Sequence, residues 1–294
     1  MPEGLDWQRD GAHWPNRDAS RFVQAAGLRW HVQQLGQGPL LLLLHGTGAS
    51  THSWQALVPH LREHFSLLMV DLPGHGFTSM GGDTQFTLPG MAQALQTLLA
   101  TLGVAPRGIV GHSAGAAIAV QLALTGSPGL RALVAINGAF VQFGGLAGLL
   151  FPPAARVLAA LPWVPQLVAW RASDRASIER LIRSTGSSLD AAGMALYAQL
   201  IANPGQVAGA LQMMARWDLG SLQVRLRRLT LPLTLVVGGN DQAVPPEQAR
   251  RVCAWLPATT LASLHVLPGL GHLAHEERPD LVAPLIREAA DWAG

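Results

Sequence analysis

Nine residues, Ile109-Val110-Gly111-His112-Ser113-Ala114-Gly115-Ala116-Ala117, constrain this chain more than any other stretch. Apolar residues run into a turn of small residues around one serine, and a small-residue helix from Ala114 to Leu124 follows. A buried strand therefore turns sharply into a helix, with Gly111 and Gly115 letting the two backbones approach. The G-x-S-x-G spacing holds the serine in a strained turn and pushes its hydroxyl up into a cleft, as an exposed nucleophile requires. With 32 glycines in the chain, five residues can match by chance, so the reading rests on the strand before and the helix after.

The rest of the chain supplies a sheet for that turn. Arg21 to Ala26 and Leu28 to Leu35, separated by Gly27, read as a hairpin, and Leu40 to Leu44 as a strand buried on both faces. Leu67 to Val70 is the next strand, and a helix from Leu88 to Leu102 leads to the serine turn. After Leu130 to Ile136 the alternation of strand and helix stops, and residues 139–229 read as helices separated by Gly and Pro. It resumes with the strand Leu233 to Val237, a helix from Pro246 to Trp255, the strand Leu264 to Leu267 and a closing helix from Pro279 to Trp292. The pattern predicts an α/β fold with a mostly parallel, doubly wound sheet. Residues 1–138 and 230–294 form its core and 139–229 an inserted helical lid, while residues 1–18 read as an arm laid on the surface.

At 294 residues and 49% hydrophobic, the chain can fill a large core. All 20 basic residues are arginine, yet no arginine-rich run is interleaved with aromatics, which excludes a nucleic-acid partner. One cysteine, Cys253, allows neither an internal disulfide nor a thiolate metal cluster. Without a signal-like N-terminus the expectation is a cytoplasmic protein. Gly145 to Trp170 is apolar apart from Arg156 and Gln166, but Pro152, Pro153, Pro162 and Pro165 break it up. It reads as short helices over an apolar cavity or as a patch for peripheral membrane contact.

A serine hydroxyl needs a base, and the base an orienting acid. Asp241 follows the strand ending Val236-Val237, and His272 follows the strand ending at Leu267. The order Ser113, Asp241, His272 is the one expected of this fold, and all three fall at carboxyl ends of strands. The loop after Ile136 offers only Asn137 in place of an acid, and Asp71 follows too early a strand. His112 should point away from the nucleophile, while His45 and His75 tie loops together. His275 reads as structural or as a substrate contact. An oxyanion developing on the substrate calls for backbone N–H donors, assigned to Ala114 and Thr47. His45-Gly46-Thr47-Gly48 lacks the third glycine of a dinucleotide loop.

With these motifs in place, the chain resembles the α/β-hydrolase superfamily from about residue 20 onward. The segments Asp71-Leu72-Pro73-Gly74-His75-Gly76 and Gly271-His272-Leu273-Ala274-His275-Glu276-Glu277-Arg278-Pro279 are similar to recurring stretches of it. Dehalogenases and epoxide hydrolases of this fold carry aspartate where Ser113 stands, which speaks against both. Trp14-Pro15-Asn16-Arg17, Gly27 to Gln33, His45 to Trp54, Gly111 to Ala117 and Pro268 to Pro279 look like the α/β-hydrolases of bacteriochlorophyll biosynthesis that accompany magnesium chelatase. Phe151-Pro152-Pro153, Ala169 to Ala172 and Arg183 to Ser187 add to the similarity.

That resemblance implies a place in the early magnesium–porphyrin branch, a contact with magnesium chelatase, and a porphyrin as apolar substrate or ligand. In the lid, Phe140, Phe143, Phe151, Trp163, Trp170, Met213, Met214 and Trp217 offer flat and polarizable surface for a pocket that His275 could join, although the aromatics could equally pack lid against core. Arg156 or Arg171 could pair a carboxylate. No metal or organic cofactor is needed for acyl transfer at Ser113. The alternatives are a general carboxylesterase or carbon–carbon bond hydrolase, and a porphyrin carrier or chelatase partner that keeps the three residues without using them.

Overall fold

The computed structural model describes residues 3–141, 157–171 and 174–290. Eight strands form one sheet: β1 (Ser20–Ala25), β2 (Leu28–Gly36), β3 (Leu40–Leu44), β4 (Ser66–Val70), β5 (Gly108–His112), β6 (Ala132–Ile136), β7 (Leu233–Gly238) and β8 (Ala262–Leu267). Their order is β1-β2-β4-β3-β5-β6-β7-β8. β1 pairs with β2, and β2 with β4, antiparallel, while every pairing from β4 to β8 is parallel. The hairpin closes through Ala26 and Gly27, at φ 51° and 74°, because a two-residue turn that follows the strand twist needs positive φ at both positions.

Central strands are apolar throughout because both sheet faces are covered. Leu42 and Leu44 of β3, with Leu68 and Val70 of β4, enter one core, and Leu41 and Leu43, with Leu67 and Met69, the other. The first core is closed by α1 (Leu88–Leu102) and α2 (Ala114–Thr125), the second by a C-terminal helix that starts at Pro279. α2 is rich in alanine and glycine because it packs closely on the sheet: a Cβ on Gly115 would stand 2.0 Å from the Leu44 carbonyl oxygen.

Between β6 and β7 the described residues hold α3 (Val164–Arg171), α4 (Arg175–Ser184), α5 (Ala191–Ile201), α6 (Pro204–Arg216) and α7 (Gly220–Leu226). After β7 come α8 (Glu247–Trp255) and, after β8, α9 (Pro279–Ala290). Among the described residues no helix is long and apolar enough to cross a membrane.

The N-terminal arm differs from a surface strap. Trp14 is buried, its Nε1 donates to Thr51 Oγ1 at 3.1 Å, and its ring meets Phe77 edge to face. Large aromatic area drives that burial, which a search for periodicity in a short irregular segment does not reveal.

Candidate active site

β5 delivers Ser113 to the start of α2 with φ 52° and ψ −117°, a conformation that L-residues rarely adopt. The surrounding backbone fixes it, since Ser113 N–H donates to the Ile136 carbonyl and its own carbonyl accepts from Ala139 N–H, both at 3.0 Å. A Cβ on Gly111 would fall 2.4 Å from Ala116 N, so the elbow closes only with glycine there.

The loop after β3 approaches just as closely: a Cβ on Gly46 would meet Ser113 Cβ at 3.0 Å. Thr47, next in the chain, lines the same cavity as Ser113, and its hydroxyl donates to Met213 Sδ. Ala114 is the first residue of α2, so its N–H has no intrahelical acceptor and stands at the positive end of the helix dipole. His45 holds this loop: its Nδ1 donates to the Gly46 carbonyl at 2.7 Å and its Nε2 accepts from Leu72 N–H at 3.0 Å. Burial keeps that ring neutral, with its pKa lowered to about 3. His75 bonds the Pro73 carbonyl, and Asp71 accepts from Thr51 N–H and Phe77 N–H while pairing with His31 at 2.7 Å. These groups tie loops together.

His272 Nδ1 lies 2.8 Å from Asp241 Oδ2. The carboxylate can only accept there, so Nδ1 carries the proton and Nε2 presents its lone pair. Asp241 is fully enclosed by donors: Oδ1 accepts from Ala243 N–H and Val244 N–H at 2.8 Å, and Oδ2 also accepts from Asn137 Nδ2 at 2.6 Å. Asn137, weighed in the sequence only as a substitute acid, is thus one of the residues that orient Asp241. The signal available was its place at the end of β6 next to β7.

The inserted segment after α4 clamps both loops. The Thr185 carbonyl accepts from Gln242 N–H and His272 N–H, the Gly186 carbonyl from Asn240 Nδ2, and Ser187 Oγ from Leu273 N–H. Gly186 has φ 83°, and a Cβ there would stand 1.9 Å from the Asn240 carbonyl oxygen.

Ser113 and His272 share a cavity of about 380 Å3 with Thr47, His112 and a wall of Val168, Leu181, Ile182, Thr185, Tyr197, Ile201, Gln206, Val207, Leu211 and Met214. The predicted pocket residues fare unevenly. Met214 is in the wall, whereas Met213 faces the core, because consecutive helical positions point about 100° apart. Phe140 is buried in the core beside the sheet, and Trp217 packs against the same cluster. Trp163 and Trp170 turn outward, 57% and 68% exposed, since α3 buries Val164 and Ala169 instead. Phe143, Phe151 and Arg156 lie outside the described residues, and Arg171 is exposed and apart from the cavity wall.

His275 is not a cavity residue either. It is fully buried behind the site, bonded through Nε2 to Ser53 Oγ at 2.9 Å and stacked on Trp54 and His112, with its pKa lowered to about 3 by burial. His112 points its Nε2–H at the His272 carbonyl, 2.9 Å away, and so props the loop that carries His272. Next to them Glu276 Oε1 accepts from Ser53 Oγ at 2.6 Å and Tyr197 Oη at 2.7 Å. Burial raises Glu276 to about 7, against the two hydroxyl donors that hold it down.

Comparison with known proteins places this geometry. The α/β-hydrolase fold family model matches residues 39–279. The chain is 42% identical over 283 residues, 96% of each protein, to the magnesium-chelatase 30 kDa subunit of Rhodobacter capsulatus. It is 28% identical over 272 residues to pyrrolizixenacetamide deacetylase of Xenorhabdus hominickii, covering 86% of this chain and 91% of that protein. The meta-cleavage product hydrolase of Pseudomonas fluorescens IP01 superposes with a TM-score of 0.77 at 20% identity, over 95% of this chain and all of that one.

Proposed function

The chain belongs to the α/β-hydrolase fold family, and from that premise we propose that it is a serine hydrolase acting in bacteriochlorophyll biosynthesis beside the magnesium-chelatase step. The observation that carries the chemistry is the Asp241–His272 pair, bonded at 2.8 Å and sharing a cavity with a strained Ser113. The extended similarity to the Rhodobacter capsulatus subunit supports the pathway.

In this reading His272 Nε2 takes the Ser113 Oγ proton as Oγ attacks the ester carbonyl carbon. The negative charge that develops on the carbonyl oxygen meets the N–H groups of Ala114 and Thr47. Collapse breaks the bond to the leaving oxygen, which receives the proton from His272, and an acyl-Ser113 remains. Water then gives a proton to His272, attacks the acyl carbon and releases the acid, restoring Ser113 Oγ–H. Asp241 holds the imidazole in the required tautomer throughout, and Asn137 holds Asp241.

Residues 139–229 act as the lid over this site, and a porphyrin ester is the proposed substrate. Trp163, in the turn just before α3, and Leu167 and Trp170 on α3 are all exposed, and this apolar patch supports a peripheral membrane contact near the cavity mouth.

The test is fluorophosphonate labelling of the purified protein, with Ser113→Ala as control and porphyrin methyl esters as competitors. Labelling that is lost in the variant and blocked by the esters is expected. A folded protein that resists labelling would overturn the acyl-enzyme reading, and tight porphyrin binding unchanged in Ser113→Ala would then favour a carrier.

A further inference from the structure

We infer that the cavity in front of Ser113 is an acyl site for neutral, apolar groups of medium length and that it excludes carboxylates. This deepens the serine-hydrolase reading and rests on it. A volume of about 380 Å3 lies at the small end of the roughly 300–1,000 Å3 of small-molecule sites. A substituted tetrapyrrole is larger than a site of this size, so what reaches Ser113 is one ester-bearing side arm. The remainder stays at the mouth, where Val168 and Leu181 belong to the cavity wall and are also exposed.

The chemistry of the wall decides what that arm can be. Most of its side chains are aliphatic, and no arginine is among the described residues that line it. The polar donors of its side chains beyond the reacting groups are already committed to the protein, His112 through Nε2–H to the His272 carbonyl, which leaves Nδ1 as an acceptor only. Tyr197 Oη donates to Glu276, and Thr185 Oγ1 donates to the Ile182 carbonyl at 2.6 Å. Gln206 accepts from Gly76 N–H through Oε1 and donates to the Gly48 carbonyl through Nε2. Thr47 Oγ1 donates to Met213. A carboxylate pressed into this wall loses its water and gains no donor, and Glu276 behind Tyr197 adds a like charge when ionised. The N–H groups of Ala114 and Thr47 do not rescue it, because they face the reacting carbonyl. An arm that carries a second carboxylate away from its reacting ester is therefore rejected where its neutral counterpart is accepted.

Two esters of equal length separate the cases: methyl octanoate, and monomethyl suberate, which ends in a carboxylate where the former ends in a methyl group. Binding to Ser113→Ala protein is read by titration calorimetry at pH 8, so turnover plays no part. The expected result is that monomethyl suberate binds about a hundredfold or more weaker than methyl octanoate. Leu211→Arg in the same background, which adds a cation to a partly exposed wall position, should recover at least about tenfold of that loss. Equal binding, preference for the charged ester, or binding of neither overturns the inference. Fluorophosphonate labelling of wild type, run alongside, keeps the two readings apart. A labelled protein without the preference loses the substrate class alone, whereas an unlabelled protein that shows the preference loses the hydrolase reading and keeps a neutral-ligand site.

Discussion

Replacing Glu276 by Gln should reverse part of the pH dependence of stability. The carboxyl is held between Ser53 on the core and Tyr197 on α5 with its side chain only 6% exposed, and burial raises its pKa to about 7 from an ordinary 4.5. Because the folded value lies above the unfolded one, the unfolded chain releases this proton first. The stability tied to Glu276 is complete below about pH 4.5 and is lost as pH rises through about 7. The gap from 4.5 to about 7, at about 1.4 kcal/mol per pH unit, comes to about 3 kcal/mol. Gln keeps an acceptor oxygen for both hydroxyls and removes the titration. Urea unfolding of both proteins from pH 5 to pH 8 is the assay. Glu276→Gln should gain on wild type steadily across that range, by about 2 to 3 kcal/mol in total. The buried histidines, lowered mainly by burial, contribute with the opposite sign as pH falls below 6.5, but they are common to both proteins and cancel in the difference. Parallel stability curves, or a gain confined to acid pH, would refute the reasoning.

Asn137→Ala removes one of the donors on Asp241 Oδ2 at a position of φ 47°, and should slow fluorophosphonate labelling about tenfold while lowering the thermal midpoint by a few degrees, read by time-resolved labelling and calorimetric scans. Gly186→Ala places a Cβ against the Asn240 carbonyl at positive φ and should cost at least about 2 kcal/mol of stability, measured by urea unfolding, while also slowing labelling through the displaced Asp241 loop. Trp163→Ser with Trp170→Ser, in protein shown to be folded by circular dichroism, should reduce co-sedimentation with phosphatidylglycerol vesicles severalfold. Unchanged sedimentation would remove the membrane contact from the proposal.

What was legible in the sequence follows from how local the cause is. Five leucines in β3 announce a strand covered on both faces, and the glycines flanking Ser113 announce a close crossing of strand and helix. Asp241 and His272 could be picked because each follows an apolar run in the chain order that this sheet imposes. The cavity wall was not legible. Flat, polarizable side chains pointed to Phe140, Met213, Trp163 and Trp170, yet two of these serve the core and two face outward, while aliphatic residues of α4, α5 and α6 line the site. Which face of an inserted helix turns inward depends on its neighbours in space. Asn137 with Asp241, and Tyr197 with Glu276, meet across 104 and 79 residues, and no spacing rule reaches that far.

The same distances explain why the inserted helices belong to the chemistry and do more than cover it. Thr185, Gly186 and Ser187 bond to the loops that carry Asp241 and His272, and Tyr197 reaches Glu276 only four residues beyond the base. Any movement that opened the cavity by lifting α4 and α5 would strip acceptors from His272 N–H and Leu273 N–H and leave the buried Glu276 with one hydroxyl donor fewer. Buried polar groups left without partners cost roughly 1–3 kcal/mol each, so such an opening is disfavoured by several kcal/mol. α3, which reaches the wall through Val168 alone and sets its bulky apolar stripe toward solvent, carries none of those bonds. On the proposed reading, entry by displacement of α3 would leave the His272 loop in register, and a substrate arm would then reach Ser113 without disturbing the bonds around His272 and Asp241.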